Sequence, residues 1–370
     1  MPMQLGESMH SDTAVRELTY AQAIQEGLRL AMEVDPSVVV IGEGVPDPKA
    51  IFGTTAGLRE QFGPQRVLDM PLSENGMTGV CIGAALCGIR PVMVHQRIDF
   101  ALLAMDQLVN NAAKWHYMFN GLKSVPLVVR LIVGRGWGQG PQHSQSLQAL
   151  FAHIPGLKVV APATAYDAKG MLIAAIEDNN PVLFIEHRWL HNINDAVPLA
   201  SYRTSLDKAR IVHSGDVVTV AAFSYMVMEA LHVAHALAKH GIAIEVIDLR
   251  SASPLDAETV LGSVKKSGLL IVVDTACATG GITAELITRI VERGFDYLRK
   301  PPARIALPDH PAPTSHFLAS GYYPDAVNIF EEICRIADIK LAADVHGQIL
   351  RDIRRTNPHD IPNVAFTGPF

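Results

Sequence analysis

Leu72-Ser73-Glu74-Asn75-Gly76-Met77-Thr78-Gly79-Val80-Cys81-Ile82-Gly83-Ala84-Ala85-Leu86 is the stretch on which the fold turns. A strand-like segment, Val67 to Met70, runs into Pro71; one acidic residue follows, then a helix of small and apolar residues. This is the strand-turn-helix step of an α/β protein. An ionisable group at the mouth of such a helix has little water around it. Burial without a cation disfavours a carboxylate, so Glu74 is expected to hold a proton near neutral pH and to suit proton transfer. A plainer role is also open: acids are common in a first turn, where they favour the helix N-terminus.

The same rhythm extends both ways. Thr19 caps a predicted helix running to about Asp35, and Ser37 to Ile41 is an apolar run that suits a buried parallel strand. A short helix near Thr55–Phe62, a strand Pro91–His95, a long helix Asp99–Phe119 and a strand Pro126–Val133 are expected next. Leu157–Val160 and Pro181–Glu186 read as strands around a helix Tyr166–Asp178. After a polar connection, about His187 to Lys208, the alternation restarts with strands Val217–Ala222, Ile242–Leu249 and Leu269–Val273 and helices Met226–His240 and Ile282–Glu292. The pattern predicts two α/β domains, each with a largely parallel sheet flanked by helices. The expected divisions are a loose N-terminus over 1–15, domains over 16–195 and 209–340 joined by a linker 196–208, and a tail over 341–370 without clear apolar period that wraps a neighbour or is mobile.

Composition narrows the function. The chain has 370 residues, 49% of them hydrophobic, and a formal net charge of −6, which suits an enzyme-like α/β protein and argues against affinity for nucleic acid or anionic membrane. No apolar run reaches the roughly 18 residues of a membrane span. The polar N-terminus has no signal-peptide pattern. Cys81, Cys87, Cys277 and Cys334 form no CxxC pair or zinc spacing and read as buried free thiols in a reducing cytoplasm.

A second stretch, Gly134-Arg135-Gly136-Trp137-Gly138-Gln139-Gly140-Pro141-Gln142-His143-Ser144, has glycines at alternate positions. It meets neither GxGxxG nor the P-loop pattern. It reads as a loop that brings backbone close to a ligand and positions His143 at a strand's C-terminal end. The histidine pairs His187/His191 and His232/His235 have helix-face spacing but no third metal ligand. No Gly-x-Ser-x-Gly elbow is present.

Several stretches resemble the beta subunit of the decarboxylating component of 2-oxo acid dehydrogenase complexes, of the pyruvate and branched-chain type. They are Phe62–Val67, Pro71–Gly76, Asp106–Lys114, Gln142–Ser146, Phe151–Val160, Asp167–Gly170 and Thr279–Gly281, in order and in register over roughly residues 15–340. The resemblance implies a transketolase-like fold with a pyrimidine-binding domain and a smaller C-terminal domain. It implies that Glu74 contacts N1′ of the thiamin diphosphate aminopyrimidine, that Leu72, Gln96 and Phe100 line that ring, and that His143 lies near the substrate carboxylate and aids acyl transfer to lipoamide. Asp178 and Asn180 resemble a structural potassium site of some relatives; a plain helix-ending turn fits these residues equally.

Thiamin enzymes hold the diphosphate through Mg2+ on a Gly-Asp-Gly motif with a later Asn, since the phosphates need a hard cation with oxygen ligands. This chain lacks the motif; Gly215-Asp216-Val217 falls in the other domain. The resemblance therefore implies an alpha subunit that binds Mg2+, an α2β2 heterotetramer, inactivity of this chain alone, and a lipoyl acyltransferase as companion. Arg97, Arg135, Trp137, Asn75 and the segment Glu186–His191 depart from the pyruvate pattern and point to an unusual 2-oxo acid or acceptor. Half of a split transketolase-like carboligase and a non-catalytic scaffold are the rival readings.

Overall fold

A computed structural model describes residues 14–362. The residues expected to be loose at 1–13 lie outside that range. Two compact units are formed, one by residues up to 134 with 150–206, the other by 135–149 with residues from 207 onward. The glycine-rich loop thus groups with the second unit, although in sequence it interrupts the first.

In the first unit, parallel strands stand in the order Lys158–Val160, Val182–His187, Val128–Val133, Arg90–His95, Val38–Gly42, Val67–Leu68. Every residue of Val128–Val133 and of Val182–His187 is buried, as expected of parallel strands covered on both faces. Thr19 caps the helix Tyr20–Val34 with a reciprocal capping box from Gln22. That helix packs on Ala165–Glu177, where a Cβ on Gly27 would lie 3.4 Å from the Lys169 carbonyl oxygen. Lys169 is buried and its ammonium lies 3.3 Å from Glu26.

The second unit has a sheet in the order Ala303–Leu307, Leu270–Cys277, Thr219–Ala222, Glu245–Asp248, Arg210–His213, with the last strand antiparallel. Helices Met226–Ala238, Ala257–Ser267, Ile282–Gly294 and Ala326–Ile336 pack against it or on one another.

Several expectations need correction. Residues 14 and 15 are held rather than loose: Val15–Thr19 pairs antiparallel with Asn194–Pro198, a strand inside the supposedly irregular connection. The long helix expected over Asp99–Phe119 is broken into a tight turn of helix Ile98–Ala104, a widened turn Gln107–Ala112 and a regular end Ala113–Met118. The tail contains the helix Ala343–Ile353, which buries Ile349 and Ile353; Val345, Ile349 and Ile353 recur at four-residue spacing, an apolar period that the expectation of an irregular tail overlooked. Of the cysteines only Cys81 is buried; Cys87 and Cys277 are exposed. Among the described residues no helix is long and apolar enough to cross a membrane.

One charge pair crosses the core of the first sheet. Arg130 Nε and Nη2 donate to the two Glu186 oxygens at 2.5 and 2.9 Å, and His191 Nε2 lies 3.2 Å from the same carboxylate. All three side chains are fully buried. Burial opposes ionisation of Glu186, but Arg130 and His191 outweigh it and hold the carboxyl below its ordinary range. Removing one partner strands a buried charge. Arg130→Met is expected to destabilise the chain by about 3–5 kcal/mol, whereas Arg130→Met with Glu186→Leu should recover most of that loss. Chemical denaturation of both variants checks this, and a double variant as unstable as the single one would contradict it.

Candidate active site

Three adjacent parallel strands end on the same side of the first sheet, and their C-terminal turns carry the candidate residues. Ligands in open α/β sheets bind outside the carboxyl ends of the strands. Val38–Gly42 ends in Glu43 and Gly44. Val67–Leu68 is followed by Asp69 and, four residues after Met70, by Glu74 at the first position of the helix Glu74–Leu86. Arg90–His95 ends in Gln96.

Glycine is required where these turns meet. A Cβ on Gly42 would lie 2.5 Å from the Val94 carbonyl oxygen. Gly44 has φ +68, and its amide donates to Asp69 Oδ1 at 3.0 Å. Gln96 Nε2 donates to the Glu43 carbonyl at 3.0 Å. The turns of all three strands are thereby tied together.

Glu74 is 8% exposed. Its helix is built of small residues, and Ser73 gives no side-chain cap, so the acid stands at the helix mouth. Among the described residues no cation forms an ion pair with it. The structure thus brings Glu74 and Gln96 to one set of turns. Phe100, half-buried, follows in the tight helical segment Ile98–Ala104, which packs on the Glu74 helix. Leu72 stands out from the surface, 80% exposed.

Glu43 escaped the sequence reading. Its carboxyl is half-buried and pushed above its ordinary value by burial first, then by the charges of Glu74 and Asp69. One signal was available: an acid between two glycines at the end of an apolar strand.

His143 belongs to the second unit, half-buried in the glycine-rich loop. Gly136, Gly138 and Gly140 have positive φ, as does Trp137, so the loop winds through conformations that favour glycine. Beyond His143 the loop is anchored by Gln148, whose Nε2 donates to the buried Asp274 Oδ1 at 2.7 Å. Burial raises the Asp274 carboxyl to about 6 despite that bond.

Comparison with known proteins gives this geometry a family. Residues 16–192 match "Transketolase, pyrimidine binding domain" and residues 207–329 match "Transketolase, C-terminal domain". The chain is 42% identical over 324 residues to the beta subunit of acetoin:2,6-dichlorophenolindophenol oxidoreductase from Cupriavidus necator, covering 85% of this chain and 96% of that one. It is 42% identical to a mitochondrial pyruvate dehydrogenase E1 beta-2 subunit of Oryza sativa, over 81% of each chain. Against the pyruvate dehydrogenase E1 beta subunit of Rickettsia bellii the identity is 38%, over 86% of this chain and 99% of that one. The chain belongs to the beta-subunit family of thiamin diphosphate-dependent 2-oxo acid dehydrogenases. A solved structure, "Split gene transketolase, inactive beta4 tetramer", matches the fold with a TM-score of 0.70 at 20% identity, over 88% of this chain and 99% of that one.

The E1 beta family thus provides the setting for the acid cluster. Among the described residues no three His, Cys, Asp or Glu side chains gather as a metal site. At the suggested potassium position, Lys158 ion-pairs with Asp178 Oδ2, and Asp178 Oδ1 accepts from the Asn180 amide at 2.8 Å. That carboxylate is compensated by a lysine, which favours the helix-ending turn.

A carboxyl whose folded pKa is raised costs stability as pH climbs from its ordinary value of 4.5 through the raised value, because the folded protein holds the proton more tightly than the unfolded chain. Glu43→Gln is therefore expected to flatten the stability profile over that window and to stabilise the chain near neutral pH. Urea unfolding across the window checks the sign; a steeper loss of stability with rising pH in Glu43→Gln would reverse the assignment.

Proposed function

We propose that this chain is the beta half of an enzyme that decarboxylates a 2-oxo acid oxidatively and passes the acyl group to lipoamide, working only with an alpha subunit in an α2β2 assembly. The observation that carries the proposal is Glu74: a buried acid with no ion-pair partner among the described residues, at the converging strand ends of a transketolase-type pyrimidine domain. Thiamin diphosphate, when bound, supplies an acidic carbon that adds to a carbonyl and accepts the electrons of the breaking bond. The fit to its aminopyrimidine is good. Glu74 would hydrogen-bond N1′ of the ring, Leu72 and Phe100 would give it apolar contact, and Gln96 would shape the edge of the turn. The fit to its diphosphate is absent from this chain, for want of a Gly-Asp-Gly motif and of a metal cluster among the described residues. Mg2+ binding is accordingly assigned to the alpha subunit.

Exposed apolar side chains support a partner. Leu72, Val80 and Leu103 of the first unit are 80, 57 and 64% exposed, unusual company for an acid held out of water. His143 is assigned to the substrate carboxylate and to proton transfer during acyl transfer. A second reading has its own observation: acetoin enzymes from Cupriavidus necator and Bacillus subtilis are 42 and 41% identical to this chain. Acetoin is a hydroxy ketone, and its cleavage also breaks a carbon–carbon bond beside a carbonyl.

Glu74→Ala is expected to abolish substrate cleavage in the reconstituted complex while leaving assembly intact; near-normal turnover would remove the central role given to it. His143→Ala should reduce acyl transfer to lipoamide far more than dye-coupled decarboxylation. Parallel assays with 2-oxo acids and acetoin decide between the two substrate readings.

A further inference from the structure

The segment after the last helix closes over the loop that carries His143. We propose that residues 354–362 form a strap whose grip on Arg135, Gly136 and Trp137 positions His143, making Asp360, His359 and Arg135 positioning residues for acyl transfer. The proposal rests on the role given above to His143.

The grip is made mainly by backbone. Trp137 N donates to the Asp360 carbonyl at 2.8 Å, and Arg135 Nη2 donates to the His359 carbonyl at 3.2 Å. Gly136 has φ +72, and a Cβ there would lie 1.8 Å from the same Asp360 carbonyl oxygen. Only glycine lets the two backbones come so close. Arg135 is 4% exposed, with its guanidinium 4.3 Å above the Tyr323 ring and 5.5 Å from that of Tyr225. Within the same loop the Gln139 amide donates to the Gly136 carbonyl at 3.1 Å and the His143 amide to the Gly140 carbonyl at 3.5 Å. Contact therefore runs from strap to loop to His143.

The strap is itself anchored along its length. Arg355 reaches Glu229, a buried acid that also accepts from the Tyr225 hydroxyl at 2.7 Å and the Ala326 amide at 3.0 Å. Asn357 Nδ2 donates to the Pro362 carbonyl at 3.1 Å. His359 Nε2 lies 2.8 Å from Asp325 Oδ2, and His316 Nδ1 lies 2.6 Å from Asp360 Oδ2.

Two facts separate this device from the shared domain. Both transketolase-domain matches end by residue 329, so the helix Ala343–Ile353 and the strap lie beyond them. Arg135 and Trp137, two of the loop residues that depart from the pyruvate pattern, are the ones the strap holds. The strap accounts for the Arg135 side chain, whereas Trp137 contributes its backbone amide.

The test approaches the contact from both sides in the full α2β2 complex. Gly136→Ala pushes the strap off from the loop; Asp360→Gly slackens it from the other side. Each is expected to lower acyl transfer about 10–100-fold while dye-coupled decarboxylation stays within about twofold of wild type. Each should also speed tryptic cleavage after Arg355. Because both act on one contact, the double variant should lose no more than the worse single one. Equal losses of both activities in folded complexes, multiplying losses in the double variant, or unchanged cleavage at Arg355 would each overturn the strap. If His143→Ala itself shows no split between the two activities, the reading of His143 fails, and with it the positioning role; the proteolysis still reports whether the strap grips the loop. Arg135→Ala serves as the second loop-side variant if Gly136→Ala does not fold.

Discussion

An acid held out of water, with no ion-pair partner among the described residues, is the constraint around which the first unit is built. Glu74 reaches that place because the strand before it is only two residues long and the helix after it is made of small residues. The neighbouring strand needs glycine on both sides of Glu43, since a side chain at Gly42 would collide with Val94 and Gly44 turns with positive φ. Glu43 stands between those glycines, and burial first, then the charges of Glu74 and Asp69, push its carboxyl above its ordinary value. Clustering like charges lowers stability unless something else holds the turns. Here the strand ladder and the Gln96 and Asp69 hydrogen bonds do so.

Elsewhere in the same sheet, buried charge is treated in the opposite way. Glu186 is paired with Arg130 through two hydrogen bonds, with His191 close to the same carboxylate. His95 and His191 are each lowered to about 4 by burial and stay neutral. Arg97 and Arg188 lie over the ring of Phe52 at 5.5 and 4.2 Å. Buried charge here is paired, kept neutral or laid over an aromatic ring. Against that background, the uncompensated acids at the strand ends stand apart as groups kept for chemistry.

Much of this was legible along the chain. Alternation of apolar runs with helical periods set the two α/β units, and the helix Tyr20–Val34 was announced by Thr19, to which the structure adds the reciprocal bond from Gln22. Glu74 was legible because strand, turn, acid and helix are consecutive. Glu43 was not, because its significance lies in being near Glu74, thirty-one residues away in sequence. Val15–Thr19 and Asn194–Pro198 were missed for a similar reason: each is short and polar, and becomes a strand only by pairing with the other.

The sequence by itself determined the fold class, the acid at the helix mouth, the histidine after the glycine-rich loop and the want of a diphosphate motif. Each of these depends on residues adjacent in the chain or on a repeated period, and local sterics and burial act at that range. Tertiary structure alone decided that the glycine-rich loop belongs to the second unit, and that Arg135 is locked under a segment more than two hundred residues further on. Such a contact is fixed by the meeting of two backbones in space, and no spacing in the sequence encodes it.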